Sequence, residues 1–515
     1  MSSIIDEEFA FRLEQEIQRC LAAWKIRGAS VIIVKHDSHN ILTFGQRDEH
    51  SPVTPTTRFA LASNSKLITA LLLVRALASN SPPLPVNTPI KDILPSFRLA
   101  NPLAEAECTV EDILSHRTGL PGYDEMFEPG YVMGELVERL ATLELSGGFR
   151  ERHQYNSILF DLAAILVEKL TGQAFDVYAH EQLFQPLGLT SATFYHTSDQ
   201  GEFAKSFWQR VDQNGEGDEG RWIEYGIERC QGAIGTGRLW MDSNDMAKWI
   251  QALPSIPEYA EAVISRTIAG AAGGLEFPDQ TVLYGLATRT STHLGVLIHE
   301  HGGEIPGFLS KVARLPQYNA GFAILCNSDP GGKYLRALVK CRMIEYFASL
   351  PRKDWFAVLD AKRQDAFRSF SAVSVRAPST SDEHAVDASS LVGIWSSPGF
   401  ATWIIDHHQV VPSLPAEMGS LPFVASLYGS VKLIFSPAPS SLLEDGSTNG
   451  RKKGERWNGC KTWTSSDTGE VFFGDPFDIE VVDNDRIKVV GMTGVGEGLS
   501  EEDWPIWFSR SVGVC

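Results

Sequence analysis

The run FALASNSKLITALLL, Phe59 to Leu73, constrains this chain more than any other. A polar start, Ser63 to Lys66, passes directly into an apolar helical stretch that reads as buried. Ser63 and Lys66 are three apart, so on a helix both side chains lie on one face, one turn apart. A serine hydroxyl rarely ionises near neutral pH and needs a base within hydrogen-bond reach to act as a nucleophile. A lysine serves if desolvation or a nearby cation keeps it neutral. At the helix N-terminus, Ser63 also sits where backbone N–H groups and the macrodipole favour developing negative charge. The stretch therefore offers a nucleophile, a base and part of an oxyanion site. Ser-x-x-Lys alone is short enough to arise by chance, so the case depends on its company later in the chain.

The size and charge of the chain narrow the classes open to it. Its 515 residues allow two or three domains and a large core. The apolar and charged fractions, 43% and 21%, are those of a soluble globular protein. A net charge of −19 argues against a nucleic-acid or anionic-membrane partner, because both require a basic face. No apolar run reaches the ~20 residues needed to span a bilayer. The start, MSSIIDEE, is acidic and lacks a basic segment followed by an apolar one, so no signal peptide is expected. The seven cysteines are scattered, and Cys108, Cys230, Cys326 and Cys341 lie in or beside apolar runs as buried thiols. The expected compartment is reducing and cytoplasmic.

Taken in order, residues 6 to 24 carry apolar positions at helical spacing. Ala29 to Val34, a polar turn from His36 to Asn40, and Ile41 to Phe44 predict a hairpin. Pro82 and Pro83 stop the helix that begins near Ser63. Thr109 to Ser115 reads as a short helix with Thr109 as N-cap and Asp112 three residues on. Residues 122 to 150 are irregular, with Tyr123, Phe127 and Tyr131 placed to overhang a cleft. His153 to Ser157 leads into an apolar helix, Ile158 to Leu170, closed by Gly172. Residues 195 to 228, with Trp208 and Trp222, read as a long loop. A helix is expected from Ser243 to Leu253, capped near Ser243 and Asp245. Strands follow at Leu294 to Ile298, Leu309 to Leu315 and Gly321 to Cys326, then a helix from Tyr334 to Leu350.

The pattern is α+β, with one antiparallel sheet assembled from both ends of residues 1–350. His299-Glu300-His301 alternates as metal ligands on a strand can, yet no third ligand with convincing spacing accompanies it, and no metal is expected. His407 and His408 read as a solvated turn. Residues 351–371 look helical and polar, and 372–390 read as a linker rich in Ser, Ala, Asp and Pro. From 391 to 515 the runs become short and β-like, predicting a small antiparallel barrel or sandwich. Leu391 to Trp395, Thr402 to Ile405, Lys432 to Phe435, Val471 to Phe473, Ile487 to Val490 and Trp504 to Phe508 are the candidate strands.

Three pieces stand in one order: Ser63-Asn64-Ser65-Lys66, Tyr155-Asn156-Ser157 and His301-Gly302-Gly303. Together they resemble the serine β-lactamase and penicillin-binding-protein superfamily, its class C β-lactamase and esterase branch in particular. His116-Arg117-Thr118-Gly119-Leu120-Pro121 is similar to that family's His-Thr-Ser-Gly-Leu-Pro turn, and Pro186-Leu187-Gly188-Leu189 to its Pro-Leu-Gly-Met. Gly232 to Trp249 and Gly302 to Asn327 also resemble family segments, so the likeness covers roughly residues 10 to 350. It implies an antiparallel sheet flanked by helices plus an all-helical lobe. The tail, with Leu391-Val392-Gly393-Ile394-Trp395, is similar to the lipocalin-like C-terminal domain of some members.

The resemblance implies that Ser63 is the acylated nucleophile, that Lys66 lowers the cost of deprotonating it, and that Tyr155 is base and then acid. The backbone N–H groups of Ser63 and Glu304 would form the oxyanion hole. Gly302 and Gly303 would let backbone approach the substrate closely. Ser157 replaces the asparagine usual in β-lactamases, and His301, only partly cationic near neutral pH, replaces lysine. Both departures weaken a lactamase or peptidase reading and are tolerated in esterase- and acyltransferase-like members. The implied activity is a serine hydrolase acting on a small-molecule ester or amide without a cofactor. An acyltransferase or cyclase would use the same acyl-enzyme, as in members that act on carrier-bound acyl groups in secondary metabolism. A non-catalytic binding protein whose tail barrel holds an apolar molecule is the reading of another class.

Overall fold

The structure, a computed structural model, describes residues 4–127, 132–196, 202–209, 221–223, 233–270, 275–277 and 280–373, and a set of strands between 393 and 510. Its centre is an eight-stranded antiparallel sheet. The order across it is Ser38–Gly45, Gly28–Lys35, Ala320–Cys326, Phe308–Leu315, Val296–Ile305, Arg289–His293, Leu283–Tyr284 and Thr267–Ile268. An early hairpin is thus sewn to strands about 290 residues later in the chain, with Ala29 paired to Cys326 and Lys35 to Ala320.

The two central strands are buried on both faces, and their period of two divides the core. Val31, Ile33, Phe322 and Ile324 pack with Leu13, Ile17, Leu338 and Trp355 from the helices Glu7–Ala23, Gly331–Phe347 and Trp355–Val373. Ile32, Val34, Ala323 and Leu325 face the other way, onto the helix Ser243–Ala252 and the helical lobe. In that lobe the helices Ser65–Ser79 and Ile158–Thr171 carry unbroken buried stretches, Ile68 to Leu73 and Ile158 to Ala164. Helices apolar on nearly every side have to sit inside the protein, and these two pack against each other in its middle. Each such side chain contributes about 1.5–3 kcal/mol by leaving water.

Local chemistry sets the boundaries. Thr109 and Asp112 form the expected reciprocal cap. Gly172 ends its helix in the left-handed region, at φ 70°. The Ser243–Ala252 helix is capped one residue earlier than expected, by Asp242, which accepts the Asp245 N–H at 2.8 Å.

Three other expectations change. Leu294 and Gly295 form the turn of a hairpin, both at positive φ, so the strand starts at Val296 and runs through His301 to Ile305. Residues 267–293 supply three further strands. Short strands of two to five residues leave too little alternation to read from sequence. The 195–228 segment includes two short strands, Ser206–Trp208 and Arg221–Ile223.

The C-terminal strands close into an eight-stranded barrel, each antiparallel to the next, with Gly393–Ser396 sealed against Ile506–Arg510. Two of its strands, Phe423–Tyr428 and Glu455–Thr464, are not among those expected from the sequence. Most of the expected linker, 374–390, lies outside the described residues, as do Tyr131, Cys230 and His408. His407 ends the strand Trp403–His407. Cys108, Cys326 and Cys341 are free and buried, as is Cys20. Among the described residues no helix is long and apolar enough to cross a membrane.

Candidate active site

Ser63 occupies a tight turn, Ala62–Asn64, just before the Ser65–Ser79 helix. Ala62 is held at φ 48°, a conformation that costs an alanine about 1–3 kcal/mol and persists only where neighbours enforce it. The enforcers are visible. Ser65 Oγ donates to the Ala62 carbonyl at 2.7 Å and accepts the Leu239 N–H at 3.2 Å.

Lys66 is fully buried. Its Nζ donates to Ser63 Oγ at 3.0 Å and to the Thr236 carbonyl at 3.3 Å. That carbonyl belongs to the turn 233–237, which is fastened by the buried Asp161. Its carboxylate accepts from Ala233 N at 2.5 Å and from Gly235 N at 3.0 Å. Burial pushes the Asp161 carboxyl up to about 7, against the opposing pull of the two N–H groups and the Lys66 charge. Gly235 is glycine for a steric reason: a Cβ would lie 2.1 Å from the Phe160 carbonyl oxygen.

The Tyr155 ring completes this group. Its centroid is 5.0 Å from Lys66 Nζ and 4.4 Å from that of the His116 ring. His301 stands 6.2 Å away between centroids. Ser157 begins the Ile158–Thr171 helix and is buried, with its carbonyl taken by the Thr236 hydroxyl. Thus the first two motifs meet directly, and the third borders them.

The third motif is pinned to the first by Asn64. Oriented to satisfy its neighbours, the Asn64 amide donates to the His301 carbonyl at 3.1 Å and accepts the Gly303 N–H at 3.2 Å. Gly303 has no room for a side chain, because a Cβ would meet the Leu61 carbonyl at 2.1 Å and Ser310 Oγ at 2.3 Å. Its glycine thus answers to this chain's own backbone, whereas a Cβ on Gly302 would meet nothing closer than 3.8 Å. Gly303→Ala is therefore expected to cost several kcal/mol or to push the Ser63 turn out of place. A thermal melt beside the Gly302→Ala control checks this, and equal melting of the two variants would contradict it. The Glu304 side chain turns away from the site to Arg336, at 2.7 Å, and to Lys333 at 2.5 Å.

His301 departs from the partly cationic group expected. Burial, with Arg289 and Lys66 adding positive charge, pushes it down to about 3, so it is neutral at physiological pH. Its two nitrogens are both engaged: Nε2 with the Tyr284 hydroxyl at 3.0 Å and Nδ1 with the Gly302 carbonyl at 2.6 Å. Tyr284 in turn meets His116 Nε2 at 3.2 Å, and His116 Nδ1 accepts the Asn156 N–H at 3.1 Å. The neighbours named as possible metal ligands have partners of their own. His299 pairs with Thr290 Oγ1 at 2.9 Å, and Glu300 with Lys340 at 2.6 Å and Lys311 at 3.0 Å.

Sequence reasoning missed Tyr284 and Asp161 and gave His116 no role. Tyr284 lies on a two-residue strand, so only the register of the sheet reveals it. His116 and Asp161 stood inside segments already singled out, beside the turn and on the apolar helix. A charged residue in so apolar a helix was the available signal for Asp161. Of the suggested cleft walls, Tyr123 is buried with its hydroxyl on the Glu144 carbonyl, and Phe127 packs onto the core. Trp222 meets Phe207 edge-on at 5.3 Å, and Trp208 is half-buried on the paired strand.

The pattern of the Beta-lactamase family matches residues 13–339. A relative named Unguisins hydrolase ungD, from Aspergillus violaceofuscus, is 26% identical over 388 residues, covering 68% of this chain and 66% of its own. This chain thus spans a little under two thirds of that relative's length. The octameric penicillin-binding protein homologue from Pyrococcus abyssi superposes with a TM-score of 0.55 at 15% identity, over 97% of this chain and all of its own. A class C β-lactamase mutant gives a TM-score of 0.55 at 16% identity, over 67% of this chain and 99% of its own. The two structures speak for the fold, and the family pattern spans well over half of the sequence. The chain belongs to the β-lactamase family.

Proposed function

We propose that this protein is a serine hydrolase that cleaves an ester or amide through an acyl-Ser63 intermediate. The observation that carries this reading is the 3.0 Å hydrogen bond from the buried Lys66 to Ser63 Oγ. Tyr155 supports it, since its ring lies beside Lys66 and its hydroxyl makes no hydrogen bond among the described residues.

In the proposed reaction Ser63 Oγ attacks the substrate carbonyl and its proton passes to the Lys66–Tyr155 pair. The oxyanion is held by the N–H groups of Ser63 and Glu304. The tetrahedral adduct collapses, the leaving alcohol or amine takes the proton from Tyr155, and the acyl group stays on Ser63. Water, activated by the same pair, then releases the acid and restores the serine. A neutral His301 and Ser157 at the asparagine position fit a small-molecule ester or amide better than a carboxylate-bearing lactam. The relative named a hydrolase favours water as the acceptor.

Product analysis tests this. Incubation with an activated short-chain ester is expected to release free acid, with or without added amine or alcohol. Capture of the acyl group by the acceptor at the expense of free acid would assign an acyltransferase. No turnover by folded protein would remove both.

A further inference from the structure

We propose that Tyr284 is a positioning residue, one that locks His301 into its Nδ1–H tautomer so that the third motif meets the substrate with an uncharged, fully bonded side chain. Its functional meaning rests on the acyl-Ser63 reading, whereas its geometry stands apart from it. Four hydrogen bonds run in series from the second motif to the third, and backbone groups terminate both ends. The Asn156 N–H can only donate, so His116 Nδ1, 3.1 Å away, is a bare acceptor. The ring proton of neutral His116 is then on Nε2 and points at the Tyr284 oxygen, 3.2 Å away. Tyr284 spends its own proton on His301 Nε2 at 3.0 Å. The remaining proton of His301 is therefore on Nδ1 and goes to the Gly302 carbonyl at 2.6 Å, which can only accept.

No member of this chain can reverse without leaving a buried donor or acceptor unmet. His116 and Tyr284 are fully buried and His301 is 6% exposed, so each unmet group costs about 1–3 kcal/mol. A proton added to His301 would leave the Tyr284 oxygen between two N–H donors and its own hydrogen without a partner. The charges that bear on His301 act in the same sense: Lys66 from the helix, Arg289 from the adjoining strand on one side and Lys311 from the adjoining strand on the other. Burial holds His116 neutral likewise, with the Lys66 and Arg289 charges adding to it. The Tyr155 ring lies tilted beside both imidazoles.

The consequence is one of position and specificity. Tyr284 ties the segment bearing Tyr155 to the strand bearing Gly303 and Glu304, across the line where substrate would lie. His301 has no N–H left to offer a substrate. Contacts at this strand therefore come from the backbone of Glu304, since both backbone groups of Gly303 are already bonded, to Asn64 and Arg336, and His301 does not select for a substrate carboxylate.

Imidazole nitrogen NMR on histidine-labelled protein tests the proposal, with His116→Gln and His301→Asn used only to assign signals. In the wild type at pH 7, His301 is expected to carry its proton on Nδ1 and His116 on Nε2, and neither is expected to titrate between pH 8 and 5. In Tyr284→Phe the His301 signature is expected to give way to a mixture of tautomers, while His116, still facing the Asn156 N–H, keeps its proton on Nε2. The rate at which an activated ester acylates Ser63 is expected to fall about 10–100-fold, the scale of a small misplacement of reacting groups. His301 found as the Nε2–H tautomer or as imidazolium at pH 7 would overturn the proposal, as would wild-type acylation in folded Tyr284→Phe. Should that variant fail to fold, the wild-type tautomers still decide. Should the wild type itself fail to acylate, the hydrolase reading falls, and the opposed tautomers are judged by NMR alone.

Discussion

Lys66→Ala is expected to slow acylation of Ser63 by about 10²–10⁴-fold, the contribution typical of a group positioned for proton transfer, here as half of the Lys66–Tyr155 pair. Lys66 Nζ makes the described side-chain hydrogen bond of Ser63 Oγ, and it is the charge that lies beside Tyr155. Removing it leaves the hydroxyl without a route for its proton. Lys66→Arg is not expected to restore the rate, because guanidinium is planar and larger than the ammonium that reaches both Ser63 Oγ and the Thr236 carbonyl. The measurement is single-turnover acylation followed by intact mass, on samples whose melting shows a folded core. Some stability is expected to be lost, since the Thr236 carbonyl also accepts from Nζ. A folded Lys66→Ala that acylates at the wild-type rate would remove Lys66 from the chemistry.

The second large effect is a loss of stability on mild acidification. Three histidines, two buried and His153 partly so, are held neutral: His116 well below its usual range, His153 down to about 4 and His301 down to about 3, each mainly by desolvation. Above the unfolded value near 6.5 both states carry neutral imidazole and these groups leave stability untouched. Below it the unfolded chain binds protons that the native state refuses, so stability falls as pH drops, until each folded pKa is reached. At pH 5 this amounts to about 2 kcal/mol per histidine. Asp161 works in the opposite sense. Its carboxyl, raised to about 7, takes up a proton in the native state first and offsets roughly one histidine. The net expectation is a loss of roughly 4 kcal/mol between pH 7 and pH 5, large against a typical stability of about 5–15 kcal/mol. Denaturant midpoints at pH 7.5, 6 and 5 measure it. A midpoint that holds or rises towards pH 5 would contradict the burial of neutral histidines.

What could be read from the sequence was what is local. The Ser63–Lys66 spacing, the Thr109–Asp112 cap, the Gly172 stop and the alternation from Val31 to Val34 each depend on neighbours within a few residues, and the fold uses them as written. Tyr284 could not be found that way. Its two partners, His116 and His301, lie 168 and 17 residues away, on a turn and on a strand, and only sheet register brings them together. The reason for Gly303 was hidden likewise, since the obstacle is a carbonyl 242 positions earlier, that of Leu61 against residue 303. His301 was read as a partly charged group because an unperturbed imidazole is only partly cationic near neutral pH. Its neutrality comes from burial and from cations on other elements.

The central claim is that Ser63 is an activated nucleophile, and intact-protein mass spectrometry tests it most directly. Wild type and Ser63→Ala would each be incubated with a fluorophosphonate and with an activated short-chain ester. One adduct per wild-type chain, mapped to Ser63 and absent from Ser63→Ala, is the predicted result. No adduct on folded wild-type protein, or an equal adduct on Ser63→Ala, would contradict the acyl-enzyme account.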